Sequence, residues 1–235
     1  MENENLIVKM LEAGLHFGHQ KSKRHPKMEP YIFTVRNGIS IIDLQKTQEK
    51  LGEVLHFVQE IVSRGGQILF LGSKKQAQEI IRETALKTRM PYVVKRWLGG
   101  TFTNFDVIHQ KVERLKKLEE EEKEGEWKKY TKKECLALAR EKKKLTEMVG
   151  GLKTLNGFPQ AIFIIDVVRE KNAVLEARRK KVPIIALVDT NGNPELIDYP
   201  IPGNDDAIRG IEVVCAKVGE AITEVQKNLK TIKPS

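Results

Sequence analysis

The chain has 235 residues, 31% of them charged, with 41 Lys and Arg against 32 Asp and Glu for a formal net charge of +9. This length can bury a substantial core in one large domain or one domain with an appendage, and the excess of base favours a polyanionic partner, nucleic acid or an anionic membrane surface. No stretch approaches about 18 consecutive apolar residues, MENENLIVKMLEAG lacks the regions of a secretory signal, and Cys135 and Cys215 fit no metal spacing, so a membrane span, a disulfide scaffold, a collagen and a coiled-coil rod are all excluded and a reduced, cytoplasmic setting is expected.

Residues 1–14 carry Ile7, Met10 and Leu11 at helical spacing, with Gly14 as the stop. A loop rich in base and imidazole follows over residues 16–30. YIFTV (31–35) and ISIID (39–43) flank Arg36-Asn37-Gly38, and Asn-Gly between apolar runs signals a hairpin. From Asp43 the apolar period lengthens to about 3.6, placing Leu44, Leu51, Leu55, Val58 and Val62 on one helical face that Gly65-Gly66 closes. QILFLG (67–72) is a continuous apolar run, the pattern of a strand buried on both faces of a parallel sheet. Ser73 and Gln76 read as a capping box that opens a helix through Thr88. PYVV (91–94), AIFIID (161–166) and PIIALVD (183–189) are further strands, and DYPI (198–201) is a last edge strand. Helices are expected over 168–181 and 204–228, the latter with Ile208, Ile211, Cys215, Val218, Ile222 and Val225 on its apolar face. Strands alternating with helices make this an α/β chain with a doubly wound parallel sheet.

One segment breaks the rhythm. Of the 45 residues from 106 to 150, 24 are charged. Thr103-x-x-Asp106 and Thr131-x-x-Glu134 are capping signatures. Two thin apolar stripes, Ile108, Val112, Leu115 and Leu118, then Cys135, Leu138, Leu145 and Val149, suit an antiparallel pair of helices projecting from the sheet. Gly99-Gly100 and Gly150-Gly151 bracket it like hinges.

LFLGSKKQA (69–77) places a glycine and two lysines, Lys74 and Lys75, between a strand and a helix, an anion-binding arrangement. It lacks the glycine spacing of a P-loop or a dinucleotide fold, so a contact with an RNA phosphate or a helix cap is the alternative. His16 and His19 are spaced to face one way on a helical turn. With Asp189 or Asp205 they would make a metal site suited to zinc; the alternative is that these imidazoles contact RNA or cap local turns. No nucleophile–base set or carboxylate pair is legible, so no enzyme is expected. The basic clusters say more. Lys21, Lys23, Arg24 and Lys27 crowd a loop flanked by Phe17, Tyr31 and Phe33, Arg36 stands at the hairpin turn, and Lys95-Arg96-Trp97 follows a strand. Cations of this kind neutralise phosphates, and planar groups stack on exposed bases. Aromatics are 6% of the chain and no RNA-recognition motif is present, so the reading is recognition of the backbone and shape of folded RNA.

Four strings, AGLHFGHQ…HPKM (13–28), KRWLGGTFTN (95–104), VDTNGNP (188–194) and IPGNDDAIR (201–209), together resemble the S2 family of bacterial small-subunit ribosomal proteins. The resemblance is collinear over essentially the whole chain. It implies a flavodoxin-like three-layer α/β/α fold, with a sheet domain over 1–103 and 150–235, an N-terminal extension over 1–42, and an inserted antiparallel coiled-coil hairpin over 104–149. It also implies binding to 16S ribosomal RNA near the head–body junction, neighbouring small-subunit proteins as partners, and help in docking the messenger-binding protein S1 for translation. A membrane or a small-molecule substrate is not expected. His25 and Asn193 stand where the family commonly has asparagine and aspartate, and the chain closes on TIKPS without the acidic tail some members carry. The rival reading is a small nucleotide-binding α/β enzyme using the Gly72-Ser73-Lys74 turn.

Overall fold

The computed structural model describes residues 2–232; Met1, which opens the expected first helix, and Lys233-Pro234-Ser235, which close the chain, lie outside them. Helix α1 (Glu2–Glu12) ends at the Gly14 turn and leads into a small antiparallel sheet of β1 (Phe17–Gln20), β2 (Ile32–Arg36) and β3 (Ile39–Ile42), in the order β1-β3-β2. Asn37 and Gly38, at φ of 49° and 77°, make the predicted two-residue hairpin turn. Strand β1 is new: FGHQ has no apolar alternation, and its pairing with β3 (Phe17 with Ile41, Gln20 with Ile39) rather than its own sequence makes it a strand. Short 3-10 turns, Lys21–Lys23 and Pro26–Tyr31, carry most of the remaining basic loop.

Asp43 caps α2 (Leu44–Ser63), its Oδ1 accepting the Gln45 N–H at 3.0 Å. Then come β4 (Ile68–Leu71), α3 (Gln78–Thr88), β5 (Tyr92–Val93), α4 (Phe105–Lys123), α5 (Lys132–Val149), β6 (Ala161–Ile165), α6 (Lys171–Lys180), β7 (Ile184–Val188), β8 (Tyr199–Pro202) and α7 (Ile208–Ile232). The last five strands form a wholly parallel sheet, ordered β5-β4-β6-β7-β8. Counted alone these are 2-1-3-4-5, the flavodoxin-like order. Because every strand is covered on both faces, alternate residues enter different cores. Phe70, Phe163, Ile185 and Leu187 pack with Val54, Val58, Ile81, Ile211, Val214 and Val218 of α2, α3 and α7. Leu69, Leu71, Ile162, Ile164 and Ala186 pack with Ala173, Val174 and Ala177 of α6 and with Phe102, Ile108 and Val112. No described helix is long and apolar enough to cross a membrane.

Several local expectations are corrected. Ser73 and Gln76 form no capping box: α3 begins only at Gln78, with no side-chain cap, because Ser73 is drawn into bonds with Arg169 and Glu170. Thr103 does not cap α4; its hydroxyl and N–H both go to Glu176. Helix α6 starts at Lys171 rather than 168, after a turn in which the Asp166 carboxylate accepts the Arg169 N–H. Ile208, the first residue of α7, is exposed rather than core. Gly151 is no hinge: a Cβ there would lie 2.2 Å from the Tyr92 carbonyl, so the glycine permits close packing.

Helices α4 and α5 do pack as an antiparallel pair. The Thr131–Glu134 capping box forms, Arg114 grips Glu141 through two hydrogen bonds of 2.9 and 3.0 Å, and Lys142 pairs with Glu122. Ile108, Val112, Leu115 and Leu118 are buried as their spacing requires. Three of them, Ile108, Val112 and Leu115, join Val149 in the core beneath the second face of the sheet.

Candidate nucleic-acid interface

Parallel strands end on the same side, and open α/β sheets present their ligand-binding loops there. In this chain β4 ends at Gly72-Ser73-Lys74, β5 at Lys95-Arg96, β6 at Asp166, β7 at Asp189 and β8 at Gly203-Asn204-Asp205-Asp206. The N-terminal extension closes onto this rim. His19 and His25 donate their N–H groups to the Thr190 hydroxyl and carbonyl at 2.8 Å each, and Asn204 reaches Leu15 O (2.9 Å) and Gly14 O (3.1 Å). Gly18 makes the approach possible, since a Cβ would stand 2.4 Å from the Thr190 methyl. The strings AGLHFGHQ, VDTNGNP and IPGNDDAIR therefore meet at one seam.

The acids of the rim are consumed internally. Lys74 Nζ lies 2.5 Å from Asp205, 2.6 Å from Asp206 and 3.5 Å from Asp166. Burial opposes its charge, but the bonds to Asp205 and Asp206 outweigh burial and raise the lysine above its ordinary value. Burial, then the charges of Asp166 and Asp189, push the Asp205 carboxyl up to about 7 despite Lys74. The Lys74–Asp166 pair spans the crevice between β4 and β6, the switch point where flavodoxin-like sheets hold ligands. Arg169 Nε donates to Ser73 Oγ at 2.9 Å and the Ser73 N–H donates to Glu170 at 3.1 Å across the same gap. Lys74, expected on RNA, is instead an internal counter-ion, and three carboxylates around it make a poor cradle for a phosphate.

His16 and His19 do not converge, because residues 17–20 form a strand rather than a helical turn. His16 packs on Phe17 with ring centroids 4.0 Å apart, and burial lowers its pKa. His19 joins Asp189 (Nδ1–Oδ2, 3.1 Å) and Asp206 (Nε2–Oδ2, 3.6 Å), and its pKa is raised chiefly by the bond to Asp189. Among the described residues, His19, Asp189 and Asp206 are the one His/Cys/Asp/Glu group close enough to share an ion. Each imidazole nitrogen faces a different carboxylate, Asp206 also pairs with Lys74, and Asp205 bonds Lys74 at 2.5 Å, so these side chains link extension to sheet.

Trp97 also leaves the expected interface. It is 6% exposed, packs edge-on against Phe102 and donates its indole N–H to Glu176 at 3.1 Å. Glu176, on α6, additionally accepts the N–H groups of Gly100 (2.8 Å), Phe102 (3.0 Å) and Thr103 (3.1 Å) and the Thr103 hydroxyl. RWLGGTFT is thus a loop wound around one carboxylate. Nothing in the periodicity of α6 singles out Glu176, which sequence reading missed.

Arg24 is ion-paired with Glu29, and Lys27 with Glu195 at 2.7 Å. Lys21, Lys23 and Arg36 on the extension and Lys75, Lys95 and Arg96 after β4 and β5 are exposed, with no acidic partner among the described residues. The two departures from the family strings keep their local work. His25 Nδ1 accepts the Lys27 N–H at 3.2 Å, and Asn193 Oδ1 accepts the Glu195 N–H at 3.1 Å, as asparagine or aspartate caps would. A protein-family model described as Ribosomal protein S2 matches residues 10–225.

Proposed function

The chain belongs to the ribosomal protein S2 family, structural proteins of the small ribosomal subunit, and on that premise we propose that it binds 16S ribosomal RNA near the head–body junction and helps dock protein S1 in the cytoplasm. One observation carries the RNA reading. Lys21, Lys23, Arg36, Lys75, Lys95 and Arg96 emerge exposed, with no acidic partner among the described residues, at the carboxyl rim of the sheet or on the extension fastened to it, while the rim's aspartates are engaged by Lys74 and His19. Such a surface is net cationic despite its acids and suits phosphates. The helical pair over 104–149 is read as a coiled-coil arm on the sheet domain of 1–103 and 150–235, its base anchored by Ile108, Val112 and Val149. The rival nucleotide-binding reading is disfavoured because the switch-point crevice is bridged by Lys74–Asp166 and Ser73–Arg169.

Co-sedimentation tests the assignment. The protein is expected to travel with small subunits at low salt and to be stripped off as salt rises. A chain that stays in the supernatant at low salt, beside subunits lacking their own copy, would contradict it.

A further inference from the structure

Helices α3 and α7 bury their inner faces in the same core, and an open groove of about 920 Å³ lies between their outer faces. A Cβ on Gly219 would stand 3.2 Å from the Thr84 methyl, and Gln226 Nε2 donates to the Thr88 carbonyl at 2.8 Å, so the two helices run side by side in one direction. They flank the groove over the 11 residues of α3, about 15 Å or three helical turns. Its floor is small: Thr84 on α3 with Ala216, Gly219 and Thr223 on α7, joined by Ile80 and, at one end, by the exposed Ile208.

The charge of this groove is opposite to that of the chain. Five glutamates line it, Glu79, Glu83, Glu212, Glu220 and Glu224, against three lysines, in a chain of net charge +9. The lysines stand at the ends, Lys75 beside the carboxyl rim and Lys87 and Lys227 at the far end, so the middle is acidic. Glu79, Glu83 and Glu220 have cations on their own helices, Arg82 (3.8 Å), Lys87 (3.4 Å) and Lys217 (2.7 Å). Glu212 and Glu224 have no basic partner among the described residues. Phosphates are repelled by such a trough, which selects a protein over RNA. Two adjacent helices with small residues between them accept a third helix, ridge into groove. We propose that the α3–α7 groove docks a basic amphipathic helix of a neighbouring small-subunit protein. Its apolar stripe lies on Ile80, Thr84, Ala216 and Gly219, and its Lys or Arg side chains reach Glu212 and Glu224. The inference rests on the reading of the chain as a small-subunit component and gives it a protein-facing surface apart from the cationic rim.

Photo-cross-linking in assembled subunits tests the occupant. The full chain carries p-benzoylphenylalanine at position 216, where Ala216 is exposed on the floor, or in a second variant at position 223. Each is assembled into small subunits lacking their own copy and irradiated. The expected product is a cross-link to one small-subunit protein, at a segment whose Lys or Arg residues flank apolar ones at helical spacing. Adding Glu212→Lys with Glu224→Lys should cut the yield roughly tenfold or more, because facing like charges are strongly penalised. Incorporation and melting point should stay unchanged, since both glutamates are exposed on the helix surface. Glu212→Gln with Glu224→Gln should cut the yield less. A cross-link to RNA or to an acidic segment, or none in subunits that contain the chain, overturns the proposal and leaves the ribosomal reading intact. An undiminished yield in the double lysine variant overturns it as well. Failure of wild type to enter the subunits removes both inference and reading.

Discussion

Glu176→Ala is expected to destabilise the chain by about 3–5 kcal/mol and to lower its melting point by roughly 10 °C. The alanine leaves three backbone N–H groups, those of Gly100, Phe102 and Thr103, and the Trp97 indole without their acceptor. Each such orphan costs about 1–3 kcal/mol when buried, and partial exposure of the loop keeps the sum near the lower end. Glu176→Gln retains one acceptor oxygen and should lose about half as much. The pH dependence distinguishes the two. Burial raises the Glu176 carboxyl, but the bonds from Gly100, Phe102, Trp97 and Thr103 outweigh it, so its pKa in the folded chain lies below the ordinary value. Its stabilisation is therefore present above the unfolded pKa and lost as pH falls through the folded one. The gap between wild type and Glu176→Gln, followed by denaturant melts, should be constant near neutrality and narrow in acid. A gap independent of pH would mean that the carboxylate's charge does not hold the loop.

Lys74→Met should cost about 3–5 kcal/mol, because removing one partner of a buried ion cluster leaves the others uncompensated. Asp205 is 2% exposed and, with Asp166 and Asp206, would face no cation at hydrogen-bond distance. Asp205 titrates above its unfolded value, so its favourable term is fully present below the unfolded pKa, near 4, and is lost as pH rises through about 7. In Lys74→Met that loss deepens, so the deficit against wild type should be small near pH 5 and large near pH 8. Adding Asp205→Asn should recover part of it. Wild-type stability of Lys74→Met at pH 8 would show that the cluster is solvated and that Lys74 is free for an external anion.

Most of the architecture was legible because it depends on period. Continuous apolar runs marked β4, β6 and β7, and a 3.6-residue repeat marked α2 and α7, with the Asn37-Gly38 turn placing the hairpin between β2 and β3. What periodicity does not encode is which polar partner a loop residue finds across the fold. Ser73 looked like a cap but bonds to Arg169, Thr103 looked like a cap but bonds to Glu176, and β1 is a strand only because β3 pairs with it. The candidate interface divided along the same line. Lys21, Lys23, Arg36, Lys75, Lys95 and Arg96 stayed exposed, as runs of base usually do. Lys74 and Trp97 were recruited inward by carboxylates that lie 92 or more and 79 residues away in sequence. Three of the four family strings converge on one seam, yet Ser73, Lys74, Asp166, Arg169 and Glu176 lie outside all four.

The salt dependence of binding to 16S ribosomal RNA tests the central claim most directly. Log affinity is expected to fall linearly with log salt, and each lost phosphate contact should reduce the slope by about 0.7–0.9. Lys23→Ala and Arg96→Ala, one from each exposed group, should each show that reduction with stability within about 0.5 kcal/mol of wild type. Arg96→Ala should lose more affinity, because a guanidinium holds phosphate bidentately. Lys74→Met, measured where it remains folded, should keep the wild-type slope. If all four proteins share one slope and one affinity, the exposed cations are solvated surface and the rim is not the RNA-binding face.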